Sequence, residues 1–290
     1  MTHIANLTHL SIIKITGVDV KTLLQGQLTC NLDDISPQQS RLGAHCNPQG
    51  RIISLFRLLQ QDEQTYYLCL PRTMVTVALA ALKKYAVFYK VQLTDVSDIY
   101  HCIGVWGDTA HDSLASIMPV PQHVDEVTQT PECIATKLPA EVPRYLLLAN
   151  QPIALTAQTS VEAWQLLDIM AKLPAIYPET TEKLLPHDIN LPALNAVSFD
   201  KGCYTGQEII ARMHYRGQLK KHLSLLKIAV NFKVLPGTII YYAKENAPTS
   251  CGVVIDSAEQ QVLAVVEDAQ LKPEHLFLAD AHNVYFKLHV

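Results

Sequence analysis

Residues 199–210 read FDKGCYTGQEII, which crowds a cysteine, two glycines, a lysine and a Gln-Glu pair into one short stretch. Three readings fit: a reactive thiol, a loop that cradles a ligand, or a plain connection into a helix. Thr205-Gly206-Gln207-Glu208 has the S/T-x-x-E form of a capping box, in which Thr205 accepts from the Glu208 N–H and the Glu208 side chain reaches back. The spacing therefore predicts a helix from about Thr205, with Ile209, Ile210 and Met213 as its buried stripe and Gly217 as the residue that ends it. Cys203 then precedes a helix N-terminus, where free backbone donors and the dipole favour an anion, and Lys201 acts in the same direction. Cys203 is thus a candidate reactive thiol with Lys201 as its electrostatic partner. The residues alone leave open a small buried cysteine between glycines that only permit tight turns.

Working outward, SIIKI reads as a strand, and VKTLLQGQL after a Gly-Val-Asp turn as a short helix. RLGAHCNPQGRIISLFRLL has β-rich flanks around an NPQG turn, a β-hairpin signature, and YYLCL is a further strand. Residues 72–86 place apolar side chains three and four apart after Pro71, an amphipathic helix. HCIGVWGDTAHDSLASI reads as strand, turn and helix with Asp108 as N-cap, and YLLLAN and VEAWQLLDIMAKL as strand and helix. The Pro-punctuated connection from Pro174 to Pro192 is too long for an idle linker. From Leu223 onward, SLLKIAV, TIIYYA, CGVVIDS, QVLAVVE, HLFLAD and VYFKLHV are short apolar strands, the texture of a small all-β domain.

Composition bounds the function. At 290 residues and 49% hydrophobic the chain can form a sizeable core. Its charged fraction is 17% and its net charge −4, so nucleic-acid contact would need a local patch. No apolar run reaches the length of a spanning helix and MTHIANLTHLSIIKI lacks signal-peptide order, so a cytoplasmic location is expected. Seven cysteines without a C-x-x-C pair suit a reducing compartment and argue against a structural zinc or self-contained cluster site, so no metal site is expected. No P-loop, dinucleotide fingerprint, HExxH or GxSxG is present.

FDKGCYTGQEIIARMHYRG, with LLQGQLT, AHCNPQGRI and WQLLDIMAKLPAI upstream, resembles the folate-binding YgfZ family. That family is related to the aminomethyltransferase (T-protein) of the glycine cleavage system and includes a mitochondrial iron–sulfur assembly branch. Lys201, Gly202, Cys203, Tyr204, Gly206, Gln207 and Glu208 all fall on its pattern. Asn31 and Asn47 stand where members often carry aspartate, and Gln49 also departs from the family's H-C-D-x-K-G. Both Asn residues keep hydrogen bonding but cannot act as a base.

The resemblance implies an α+β fold: a T-protein-like core of two interleaved lobes around a channel, residues 1–219, closed by a C-terminal β-barrel, residues 220–290. It implies binding of tetrahydrofolate or a one-carbon derivative in support of iron–sulfur cluster assembly or repair. The effect would reach tRNA through cluster enzymes such as a methylthiotransferase. Partners would be iron–sulfur proteins or assembly factors, with tRNA indirect and no membrane. Alternatives are a folate-dependent one-carbon transferase and an RNA-binding accessory protein, and whether the chain is an enzyme stays open.

Cys203 and Lys201 would carry the chemistry, and Gln25, Gln27, Tyr204, Gln207 and Glu208 would contact folate. A pterin edge suits a carboxylate, for which Asp168, Asp188 and Glu208 are candidates, each with a solvated-surface alternative. RMHYRGQLKKH, residues 212–222, holds six basic or potentially basic side chains and no acid. Through Arg212, Arg216, Lys220 and Lys221 it could hold a folate glutamate tail, touch RNA phosphates, or simply form a solvated helix end.

Overall fold

The alternating pattern of LSIIKIT is buried on both sides: Ile13 and Ile15 enter one apolar cluster and Ile12 another. A strand with two dry faces must lie between layers, and the computed structural model, which describes residues 1–228, 234–242, 248–271, 276–279 and 285–289, shows them.

In chain order, β1 (His3–Asn6), β2 (Leu10–Thr16), α1 (Val20–Gln27), β3 (Arg41–Cys46), β4 (Ile52–Asp62), β5 (Thr65–Pro71), α2 (Val75–Ala86) and β6 (Gln92–Asp95) come first. They give an antiparallel sheet of order β3-β4-β5-β2-β6, with α1 and α2 in the cluster on one face. The turn between β3 and β4 is the expected NPQG: Asn47 Oδ1 accepts from the N–H groups of Gln49 and Arg51 at 3.1 and 3.0 Å, and Gly50 is left-handed at φ 73°.

Next come β7 (His101–Trp106), α3 (Ala110–Ala115), β8 (Val127–Gln129), β9 (Cys133–Lys137) and β10 (Arg144–Ala149). With β1 on its edge they form a second sheet, β1-β7-β10-β9-β8. Its outer face carries α3 and its inner face meets Ile12, Leu59, Tyr67 and Cys69 of the first sheet. Asp108 was expected to cap α3, but Thr109 occupies the N-cap without a side-chain bond, so the turn at Gly107 sets that start instead.

α4 (Val161–Met170) is capped by Ser160, whose Oγ accepts from the Ala163 N–H at 3.4 Å. It drives Trp164, 1% exposed, into the inner face, where a Cβ on Gly104 would collide with the indole. The connection before α5 (Gln207–Arg216) is packed, not idle: Ile176, Leu184, Ile189 and Leu191 join the first cluster. Thr29 Oγ1 also donates to the Ala196 carbonyl at 2.6 Å.

The last six strands are β11 (Lys221–Ile228), β12 (Ile239–Tyr242), β13 (Thr249–Ala258), β14 (Gln261–Glu267), β15 (Leu276–Ala279) and β16 (Tyr285–His289). The sheet curls until β11 pairs both β14 and β16, the second through Lys227–His289 and Ile228–Leu288. Among the described residues, each of the six segments read as strands in the sequence contributes a strand; residues 229–230, 243, 275, 280, 284 and 290 of those segments lie outside the described residues.

His45 on β3 tests this packing. It is fully buried, neither ring nitrogen has a hydrogen-bond partner, and burial, followed by the nearby Lys84 charge, pushes its pKa from 6.5 down to about 4. The unfolded chain therefore binds the extra proton between those two values, so His45 makes the fold lose stability as pH falls through that window. In His45→Phe that part of the acid-side slope should vanish, as read by denaturant unfolding at a series of pH values.

Candidate functional site

The signature loop is built against the end of α1 and the β3–β4 turn. The capping box does not form: α5 starts at Gln207, Gly206 is its N-cap with φ 84°, and no side chain caps it. Glycine is needed here on two counts: its left-handed backbone, and its position against Asn47 and Gly50 of the turn, where a Cβ would clash. Thr205 turns the other way, donating through Oγ1 to Gln27 Oε1 and through its N–H to the Gly26 carbonyl, each at 3.2 Å. At the far end Gly217 is extended, with φ −84°.

Lys201 is 8% exposed, and its ammonium donates to the carbonyls of Gln25, Leu28 and Cys30 at 2.8, 2.5 and 2.9 Å. These carbonyls cluster where α1 ends, the negative end of a helix dipole. Nζ also lies 4.6 Å from the Tyr204 ring centre. Burial pulls the Lys201 pKa down to about 8, with Cys30 and Asp33 opposing.

Gln25 is occupied by local structure: Oε1 accepts from the Leu32 N–H at 2.8 Å and Nε2 donates to Asn31 Oδ1 at 2.7 Å. Gln27 and Tyr204 are buried, and the Tyr204 hydroxyl has no partner. Gln207 is half-buried, and Glu208, Arg212 and Arg216 are exposed. Cys203 is exposed, whereas the other six cysteines are buried.

The structure thus gathers Gln25, Gln27, Lys201, Tyr204 and Thr205, but none of the residues 199–216 lines the cleft between the sheets. That cleft is half open to solvent around a cavity of about 100 Å³, with apolar walls that include Phe56, Leu70, Leu146 and Trp164. Arg57, Gln165, Asp168, Tyr177 and Asp256 bring polar groups to it. Asp168 is the sequence candidate that reaches this cleft; Asp188 lies elsewhere, its Oδ2 accepting from the Leu185 N–H at 2.8 Å.

Asp168 is held firmly. Its Oδ1 accepts from Arg144 Nη2 at 2.7 Å, and Arg144 is fully buried with its guanidinium 3.9 Å from the Trp164 ring centre. Burial lowers the Arg144 pKa, and the Asp168 carboxylate pulls it back up. Nearby, Tyr177 donates to Asp256 Oδ2 at 2.7 Å, and Arg57 binds Asp125 Oδ1 at 2.5 Å and Ser40 Oγ at 3.1 Å.

Arg57, Tyr177 and Asp256 were not singled out in the sequence, since β4, the connection and β13 meet only in the folded chain. Among the described residues no group of three or more His, Cys, Asp or Glu could hold a metal ion, and no helix is long and apolar enough to cross a membrane.

Comparison with known proteins bears on this geometry. Residues 2–131 match the GCVT N-terminal domain. The chain is 34% identical over 233 residues to the tRNA-modifying protein YgfZ of Vibrio atlanticus, covering 78% of this chain and 69% of that protein. It is 32% identical over 234 residues to the YgfZ protein of Colwellia psychrerythraea, covering 78% and 71%. The glycine cleavage system aminomethyltransferase T of Bartonella henselae superposes with a TM-score of 0.74 at 14% identity, covering 100% of this chain and 84% of that one.

Removing the Lys201 ammonium should be costly, because three buried carbonyls then lose their donor. Lys201→Met is expected to destabilise the protein by about 2–4 kcal/mol, measured by denaturant unfolding.

Proposed function

The chain belongs to the YgfZ family, and from that premise we propose that it binds tetrahydrofolate or a one-carbon derivative in the cleft between its two sheets. Through that binding it supports iron–sulfur cluster assembly or repair in the cytoplasm, and through cluster enzymes the modification of tRNA. The single observation that carries the reading is Asp168, a carboxylate pinned by a buried arginine on the wall of a cleft that also has apolar surface.

A pterin is flat and presents an amino-pyrimidinone edge whose N–H groups a carboxylate accepts. With Oδ1 taken by Arg144, Asp168 Oδ2 remains for that edge, while Phe56, Leu70 and Leu146 supply apolar surface for the ring. The bound folate would supply one-carbon carrier chemistry; the chain's own residues orient the ring and exclude water from it.

Cys203, exposed on the signature loop, is the group that meets a cluster protein. Lys201, Gln27 and Tyr204 hold that loop in place from behind. A one-carbon transferase is less well supported. Asn31 is spent accepting from Gln25 and the Asp33 N–H, and Asn47 on its turn and on Glu182 at 2.9 Å, so neither offers a base.

Calorimetric titration with tetrahydrofolate tests the cleft. Wild-type protein should bind, and ligand at one hundred times its Kd should add about 2.7 kcal/mol of stability. Asp168→Asn should weaken binding roughly tenfold or more, since a charge-assisted acceptor is replaced by an amide. No heat and no thermal shift with the wild type would remove the proposal.

The thiol is tested separately. Cys203→Ser should melt like the wild type and retain folate binding, yet fail to restore cluster-enzyme activity in cells lacking the native protein. Full rescue by that variant would assign the loop a purely structural role.

A further inference from the structure

The stretch RMHYRGQLKKH contains no contiguous aromatic recognition motif, but folding assembles an aromatic surface around it. Phe199 stacks on His214 with ring centres 3.8 Å apart and planes 17° from parallel, and His214 meets Tyr215 edge-on at 4.9 Å. His187, from the connection before α5, lies beside this pair and tilted to it, 6.0 Å from His214 and 6.3 Å from Phe199. Tyr215 packs against Phe199 and His214 by its edge and is otherwise 67% exposed, which leaves ring surface open to solvent.

Beside this stack His187, Met213, His214, Gln218, Lys220 and His222 line an open groove. His187 is only 6% exposed, yet neither ring nitrogen has a hydrogen-bond partner. The charges around the groove divide into two sets. Lys221 pairs with Glu267 at 3.3 Å and His222 with Asp268 at 2.6 Å, whereas Arg212, Arg216 and Lys220 have no ion-pair partner among the described residues. Asp200 and Glu208 are the exposed acids that flank the stretch in sequence.

We propose that the C-terminal half of α5, with Phe199, His187 and the start of β11, is a contact surface for single-stranded RNA. Free cations that track a phosphate backbone, next to stacked and exposed rings that accept unpaired bases, are the two components such binding needs. The surface shares no residue with the cleft, so it stands or falls independently of folate binding. It would place the chain in direct contact with RNA, beyond an influence exerted through other enzymes.

Fluorescence anisotropy with a labelled oligoadenylate of about a dozen nucleotides tests this. Binding should weaken as salt rises from ~50 to ~200 mM, with a log–log slope of about −2 for three cations on a single strand. Replacing Arg212, Arg216 and Lys220 together by Gln should abolish that slope. Tyr215→Ala should weaken binding roughly tenfold and leave the slope intact, and Tyr215→Phe should retain affinity because the ring remains.

All four side chains are exposed, so each variant should melt as the wild type does. Absence of binding at the lowest salt, equal binding by Tyr215→Ala, or equally effective competition by polyglutamate would each overturn the proposal. The last result would assign the groove to acidic chains such as a folate tail.

Discussion

A guanidinium buried without compensation is too costly to persist, and Arg144 is compensated from two directions at once. Trp164 offers its ring face at 3.9 Å and Asp168, one turn further along α4, offers a carboxylate at 2.7 Å. The indole reaches that position because Gly104 on the neighbouring strand has no side chain to block it. One interaction thus seats α4 against the second sheet, fixes its rotation and delivers Asp168 to the cleft. Shift the helix by a residue and the carboxylate, the ring and the apolar lining all part company.

Lys201 plays the matching part on the other side of the first sheet. Its ammonium closes the carbonyl end of α1 and binds the signature loop to the segment Gln25–Cys30, and Gly206 lets the loop approach the β3–β4 turn. The loop is therefore rigid from behind while Cys203 faces solvent. The three hydrogen bonds of the ammonium all go to backbone carbonyls.

These two anchors separate the surfaces in space. The cleft lies between the sheets, the signature loop lies at the end of α1, and the basic end of α5 runs into the curled C-terminal sheet. Residues 199–222 look like a single functional unit in the sequence, but they serve at least two faces of the molecule.

Periodicity and turn chemistry determined the elements. Alternation in SIIKI, the Asn-Pro-Gln-Gly turn and the six C-terminal apolar runs act over a few residues, so they are legible without the fold. The signature motif likewise singles out Lys201 and Cys203 from local sequence alone, and the fold buries the first and exposes the second. The capping box failed because a local hydrogen-bond pattern was overridden by the close approach of Gly206 to the distant Asn47–Gly50 turn, a constraint no short window contains. Asp168 reads as helix surface until Arg144 lies beneath it. Arg57, Tyr177 and Asp256 share the cleft, and Phe199 stacks on His214, only because long-range packing brings separate strands and loops together. Sequence set what each segment is; the burial of one arginine and one lysine decided where Asp168 and the signature loop are placed.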